Sequence, residues 1–252
     1  MKKERIDLLL VAKGLAESRA KAQALVLAGQ VVADDQRVDK PGTRISVDAV
    51  LRLKGEGLKY VSRGGLKLDA ALTHFGLDVR ARVCADIGAS TGGFTDCLLQ
   101  RGAARVHAID VGWGQLHEKL RRDPRVVSHE RVNARHLTKE DLPEAVGVMV
   151  VDVSFISLKL VLPSAVPFLE RGGLLVALVK PQFEVGPEHV AAGGVVRDAG
   201  ARQLAIEDAK DLATSLGLRV LGVIDSPIAG PAGNLEALLV AVPLEEVAPH
   251  RP

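Results

Sequence analysis

Asp86-Ile-Gly-Ala-Ser-Thr-Gly-Gly-Phe94 is the stretch on which the fold turns. It closes a strand-like run at 82–87 and opens a helix expected over 93–101. Gly88, Gly92 and Gly93 carry no Cβ, so a ligand can come close to the backbone there. Ser90 and Phe94 belong to the same candidate loop. A loop at the carboxyl end of a first strand is where open α/β sheets hold their ligands. The next expected strand, 105–110, ends in Asp110, a carboxylate able to accept hydrogen bonds from both hydroxyls of an adenosine ribose. That spacing suits a dinucleotide or S-adenosylmethionine. A dinucleotide site prefers G-x-G-x-x-G, with a pyrophosphate on the helix N-terminus. Here Ala89-Ser90 interrupts the pattern, and Asp86 stands just before the first glycine. A carboxylate so placed repels a pyrophosphate and suits the cationic end of S-adenosylmethionine. The residues favour the methyl donor, with a nicotinamide dinucleotide as the competing reading.

Strand and helix patterns alternate outward from this loop. Further strands are expected at 125–128, 147–153, 174–179, 218–224 and 235–242, and further helices at 65–74, 116–121, 158–170 and 201–215. The apolar runs 146–153 and 174–179 suit strands buried on both faces, hence a mainly parallel sheet covered by helices. The expected fold is a Rossmann-like α/β domain on a mostly parallel seven-stranded sheet. Upstream, apolar spacing predicts short helices at 5–15 and 18–29, the second N-capped by Ser18. Strand pieces at 30–33, 45–47 and 50–53 complete a small α+β module. The expected division is 1–60 for this module, a charged linker at about 54–62, a main domain over 61–247 and a tail at 248–252.

Composition narrows the function classes. An apolar share of 47% supplies a sizeable core, whereas aromatics at 3% argue against a binding surface built from stacked rings. Cys84 and Cys97 lack zinc-site spacing and read as free thiols of a reducing compartment. The seven histidines are too scattered to suggest a metal, so none is expected. Met1-Lys-Lys-Glu-Arg5 is followed by no long uncharged apolar run, so neither a signal peptide nor a membrane span is expected, and the cytoplasm is. The net charge of +2 hides an asymmetry: residues 1–60 carry +4 and the remainder −2. A basic module on a near-neutral body suits a polyanion binder.

Polar residues at the ends of buried strands are informative exceptions. Asp152 ends 146–151, Lys180 ends 174–179 and Glu236 begins the last strand; Lys67 lies in the helix before the first. A buried ammonium at Lys180 needs a carboxylate partner, and Asp152 on an adjacent strand can supply it.

Here the sequence resembles a known family. The 86–94 loop, Asp110, Val151-Asp-Val-Ser-Phe-Ile-Ser157, Val179-Lys-Pro-Gln-Phe183 and Gly233-Asn-Leu-Glu236 are similar to FtsJ-type 2′-O-methyltransferases, most closely the TlyA family acting on ribosomal RNA. Arg5, Ser18-Arg19, Lys21 and Gly29-Gln-Val-Val32 resemble a small RNA-binding domain first described in a ribosomal protein, and Lys59-Tyr-Val-Ser-Arg-Gly-Gly-Leu-Lys67 resembles the family's junction. Tyr60 stands there in the region where many relatives carry Trp. The family's Lys-Asp-Lys-Glu tetrad falls on Lys67, Asp152, Lys180 and Glu236.

The resemblance implies an S-adenosylmethionine-dependent enzyme acting on ribosomal RNA or ribosomal subunits, with cytidine ribose as the target. In this reading Lys180 stabilises or deprotonates the nucleophilic oxygen, and Asp152 orients Lys180 beside the donated methyl. Lys67 and Glu236 position the hydroxyl. Asn133 is a candidate adenine contact or a plain loop residue; Trp113 is placed against the adenine or in the core; Phe155 and Phe183 meet the target base or pack in the core. Arg5, Arg19, Lys21, Arg37, Lys40 and Arg44 are the candidate phosphate contacts, which position RNA without reading its sequence. The competing function is a non-catalytic RNA-binding assembly factor that keeps the fold. The family has also been described as haemolysins, but a pore needs a spanning helix, a barrel pattern or a strongly amphipathic helix, and the sequence shows none.

Overall fold

The computed structural model describes residues 2–53 and 59–244. Most of the expected linker and the whole expected tail lie outside those residues. The chain divides into two compact units, with the division between Arg63 and Gly64.

The first unit holds five short strands and two helices: β1 (Lys3–Arg5), α1 (Ile6–Ala12), α2 (Arg19–Leu27), β2 (Val31–Ala33), β3 (Gln36–Val38), β4 (Arg44–Ser46) and β5 (Leu51–Leu53). Ser18 caps α2, its side chain accepting from the Lys21 amide at 3.2 Å. β1 pairs with β4, and β3-β2-β5 form an antiparallel three-stranded sheet. Sequence reasoning passed over β1 and β3, because three-residue charged strands show no apolar alternation. The β2–β3 turn is Asp34-Asp35, both at positive φ (46° and 65°). Such a two-residue turn matches the twist of a hairpin. The unit's core gathers Ile6, Leu10, Ala22, Val26 and Val31.

The second unit runs α3 (Gly64–His74), β6 (Val83–Ile87), α4 (Gly93–Gln100), β7 (Arg105–Asp110), α5 (Glu118–Arg121), β8 (Val126–Glu130), β9 (Val146–Val151), α6 (Leu158–Ala165), β10 (Leu169–Val179), α7 (Pro181–Glu184), α8 (Ala199–Ser215), β11 (Leu218–Asp225) and β12 (Ala237–Pro243). The sheet order is β11-β12-β10-β9-β6-β7-β8. β8, β7, β6, β9 and β10 are parallel, and β12 runs antiparallel to both β10 and β11. All six residues of β9 are buried, as the continuous apolar run required. The helix expected over 158–170 ends early. A 3-10 turn, Val166–Phe168, follows Ala165, and 169–170 already belong to β10; Pro167, which has no N–H to give, helps end the helix.

The strand order reverses at β6, whose neighbours are β7 and β9, so a crevice opens at their carboxyl ends. Among the described residues, no helix is long and apolar enough to cross a membrane.

Candidate active site

The loop after β6 is built by its own close packing. Gly88 sits at φ +85°, and a Cβ there would lie 2.6 Å from the carbonyl oxygen of Asp152. At Gly92, φ is +96° and the missing Cβ's space is taken by the ends of Leu116 and Leu120. At these two positions glycine is required by the chain's approach to itself, beyond any ligand. Ser90 also adopts positive φ, 47°. Its amide donates to Asp110 Oδ2 at 2.8 Å, and its hydroxyl donates to Gln115 Oε1 at 3.2 Å. The Gly112 amide holds the other oxygen of Asp110 at 2.7 Å. The carboxylate is thereby fixed at the end of β7, with further lone pairs on both oxygens.

A cavity of about 450 Å³ opens beside this loop, within the range of small-molecule sites. Gly88, Ser90, Asp110, Asn133 and Asp152 line it, as does Gln115, which sequence reasoning missed. Asp86, Gly92, Gly93 and Phe94 do not line it; they are buried behind its wall. Asn133 accepts from the Arg135 amide at 3.1 Å, capping a short helical turn at the rim. Trp113 is 70% exposed and lies neither in the core nor on the cavity wall; its ring stands 5.6 Å from the Arg131 guanidinium.

Asp86 is fully buried, and its Oδ2 accepts from Thr95 twice, from the amide at 2.9 Å and the hydroxyl at 2.6 Å. Its Oδ1 has no hydrogen-bond partner. Burial pushes this carboxyl up to about 7, with the nearby charges of Asp152 and Asp110 adding to the rise.

The four polar residues converge in two pairs. Because β12 runs against β10 with Val179 opposite Ala237, Lys180 and Glu236 emerge side by side at one sheet edge. Asp152, one residue past β9, reaches the same edge. Lys180 Nζ stands 2.6 Å from Asp152 Oδ1, an ion contact off the axis of a good hydrogen bond, and donates to Ser154 Oγ at 2.8 Å. Lys67, from α3, donates to Glu236 Oε2, with both side chains buried. Glu236 Oε1 has no partner. Beside these pairs Phe155 is 92% exposed, at φ +63°, with its ring 5.2 Å from that of Phe183. Glu184 joins the two segments, accepting from the Ser157 hydroxyl at 2.6 Å and the Leu158 amide at 2.9 Å.

Residues 60–242 match the model of the FtsJ-like methyltransferases, and residues 4–51 that of the S4 domain. The chain belongs to the FtsJ-like methyltransferase family. Within it the chain falls with the TlyA proteins. It is 47% identical over 239 residues, 94% of this chain and 89% of the relative, to TlyA of Mycobacterium tuberculosis, named a 16S/23S rRNA (cytidine-2′-O)-methyltransferase. It is 41% identical over 235 residues, 93% of this chain and 98% of the relative, to Hemolysin A of Brachyspira hyodysenteriae. A solved structure from Streptococcus thermophilus, named as a candidate hemolysin, superposes with a TM-score of 0.75 at 46% identity, covering 98% of this chain and 92% of that one.

The cofactor of such an FtsJ-like enzyme is S-adenosylmethionine, and the residues present fit it. The cavity has an anchored carboxylate at Asp110 for ribose hydroxyls. The unpartnered oxygen of Asp86 and the adjacent Asp152 give this end of the sheet the negative character that a sulfonium and an ammonium require.

In the S4 domain, Arg19, Lys21, Arg37, Lys40 and Arg44 are exposed, while Arg5 is partly covered. Asp7, fully buried, binds Arg5 through Nε and Nη2, each at 2.9 Å, and Arg19 through Nε at 3.0 Å. Gln23 adds a fourth bond to it at 3.0 Å. Nη1 of Arg5 and both Nη groups of Arg19 take no part in these bonds. Sequence reasoning picked the two arginines and missed the carboxylate that holds them.

Proposed function

We propose that this protein transfers a methyl group to the ribose 2′-hydroxyl of cytidine in ribosomal RNA, as its TlyA relatives are named for doing. The observation that carries the reading is the meeting of the Lys180–Asp152 and Lys67–Glu236 pairs at the sheet edge beside the cavity. The bound cofactor supplies a methyl on a positively charged sulfur, open to displacement by an oxygen nucleophile.

The protein's task is to make a ribose hydroxyl a competent nucleophile. Its pKa lies about five units or more above neutral, so free alkoxide at pH 7 costs about 7 kcal/mol. Lys180, itself nearly buried, places positive charge at the developing oxyanion. Asp152 holds the ammonium in place. Lys67 and Glu236 fix the hydroxyl's approach. Phe155 offers an exposed ring, backed by the partly buried Phe183, to the target base, which must leave its stack for its ribose to reach the pairs. Asp86, Gly88, Ser90, Gly92, Gly93, Phe94, Asp110 and Asn133 form or support the cofactor site.

The S4 domain holds structured RNA by phosphate geometry through its exposed cations, so its binding weakens steeply with salt. A ribosomal RNA substrate places the enzyme in the cytoplasm, on ribosomal subunits or their RNA.

The test is transfer of labelled methyl from S-adenosylmethionine to purified subunits lacking the modification, with Lys180→Ala in parallel. Label that maps to a ribose and vanishes in the variant is the expected result. Cofactor binding without transfer to any subunit or naked RNA overturns the reading in favour of a non-catalytic RNA-binding factor.

A further inference from the structure

We propose that Ser154 is a positioning residue that aims Lys180, a role that rests on the methyl-transfer reading above. An ammonium carries three N–H groups. Ser154 Oγ accepts one of them at 2.8 Å, and Asp152 Oδ1 stands 2.6 Å from Nζ as an ion contact, so N–H remains for a substrate oxygen. The two partners act differently. Asp152 is a carboxylate that offsets part of the lysine's charge, whereas Ser154 is neutral and orients the ammonium while leaving its charge available to an oxyanion. Both residues line the cavity.

The serine is itself held in place. Phe155, the next residue, is at φ +63°, a conformation that bulky residues adopt only where their surroundings impose it. Three residues after Ser154, the Ser157 hydroxyl and then the Leu158 amide are tied to Glu184 on α7. α7 begins immediately after Lys180. Glu184 therefore couples the segment that carries the acceptor to the segment that carries the ammonium, and the Lys180–Ser154 distance is set by packing rather than by the pair alone. A small misplacement of a reacting group costs as much as a hundredfold in rate.

The experiment compares wild type, Ser154→Ala and Ser154→Thr for kcat and KM on subunits, and for S-adenosylmethionine affinity by calorimetry. Ser154 is exposed, so the fold tolerates both changes, and Tm checks this directly. Ser154→Ala is expected to lose on the order of tenfold or more in kcat, with KM and cofactor affinity held within twofold. Ser154→Thr, which keeps the hydroxyl, is expected to recover most of the rate. The assignment is overturned if Ser154→Ala turns over at the wild-type rate, if its loss lies in cofactor affinity, or if threonine gives no rescue. A wild-type protein with no transfer in the same assay overturns the methyl-transfer reading itself, a distinguishable outcome.

Discussion

Replacing Asp86 by Asn is expected to stabilise the cofactor-free protein at high pH and to flatten its pH dependence. The carboxyl lies fully buried, with one oxygen unpartnered, and its pKa is pushed from 3.8 up to about 7. Folded Asp86 therefore keeps its proton up to about pH 7, while the unfolded chain releases it near pH 4. Between those values the unfolded state binds fewer protons, so stability falls as pH rises. The whole shift of about three units corresponds to about 4 kcal/mol, and the part lying between pH 5 and pH 8 to about 3 kcal/mol.

The assay is urea unfolding of wild type and Asp86→Asn at both pH values. What matters is how the difference between the two proteins changes with pH, because the packing cost of the new amide cancels in it. Asn is expected to gain about 3 kcal/mol relative to wild type on going from pH 5 to pH 8. The same variant should bind S-adenosylmethionine more weakly, because the charge that destabilises the empty fold lies behind the cavity wall and favours a cation bound in front of it. Parallel stability curves for the two proteins would falsify this reasoning.

Three further outcomes follow from the same geometry. Lys67→Met leaves the buried Glu236 without its partner and is expected to cost about 3–5 kcal/mol by denaturant unfolding. Lys67→Met with Glu236→Leu should recover most of that stability while remaining inactive, which separates the pair's role in catalysis from its role in folding. Gly88→Ala pushes a Cβ against the Asp152 carbonyl, so calorimetry should show weakened cofactor binding together with lost turnover in a protein that circular dichroism finds folded. Asp7→Ala is expected to destabilise the S4 domain by about 2–4 kcal/mol, less than a fully enclosed pair because Arg5 and Arg19 can turn to water. The bonds from Arg5 above all hold the Asp7 carboxyl well below its ordinary value of 3.8. Its contribution is thus complete above that value and is lost as pH falls through the lower folded one, so acid titration should unfold wild type and Asp7→Ala with different slopes.

Much of this site could be read from the sequence because it lies where chain and chemistry coincide. A strand buried on both faces must be apolar, so Asp152 and Lys180 announce themselves as breaks in a pattern, and the loop at Gly88 as a break in side-chain volume. What escaped reading depends on a neighbour brought in by tertiary structure. Ser154 is an ordinary polar loop residue until β10 delivers Lys180 beside it. Gln115 gains its place only through Ser90, and Asp7 through arginines that a helix and a strand hold over it. Phe155 and Trp113 show the same limit from the other side. As large apolar residues they read as core more readily than as ligand contacts, and both lie outside the core.

The antiparallel strand explains why the site needs β12 at all. In a purely parallel sheet, residues from the carboxyl ends alone face the crevice, and each is reached after its strand is complete. β12 enters at that edge instead of leaving by it, so Glu236 arrives before its strand begins and sits directly opposite the exit of β10. A buried glutamate at the start of a strand would be an uncompensated charge in most sheets. Here the register that places Ala237 against Val179 also brings Glu236 within reach of Lys67 from α3, which follows the S4 domain in sequence. The pair can form only when α3 and the two strands are all in place. Charge compensation inside the methyltransferase domain is therefore a product of completed folding, and the same step assembles both halves of the proposed tetrad.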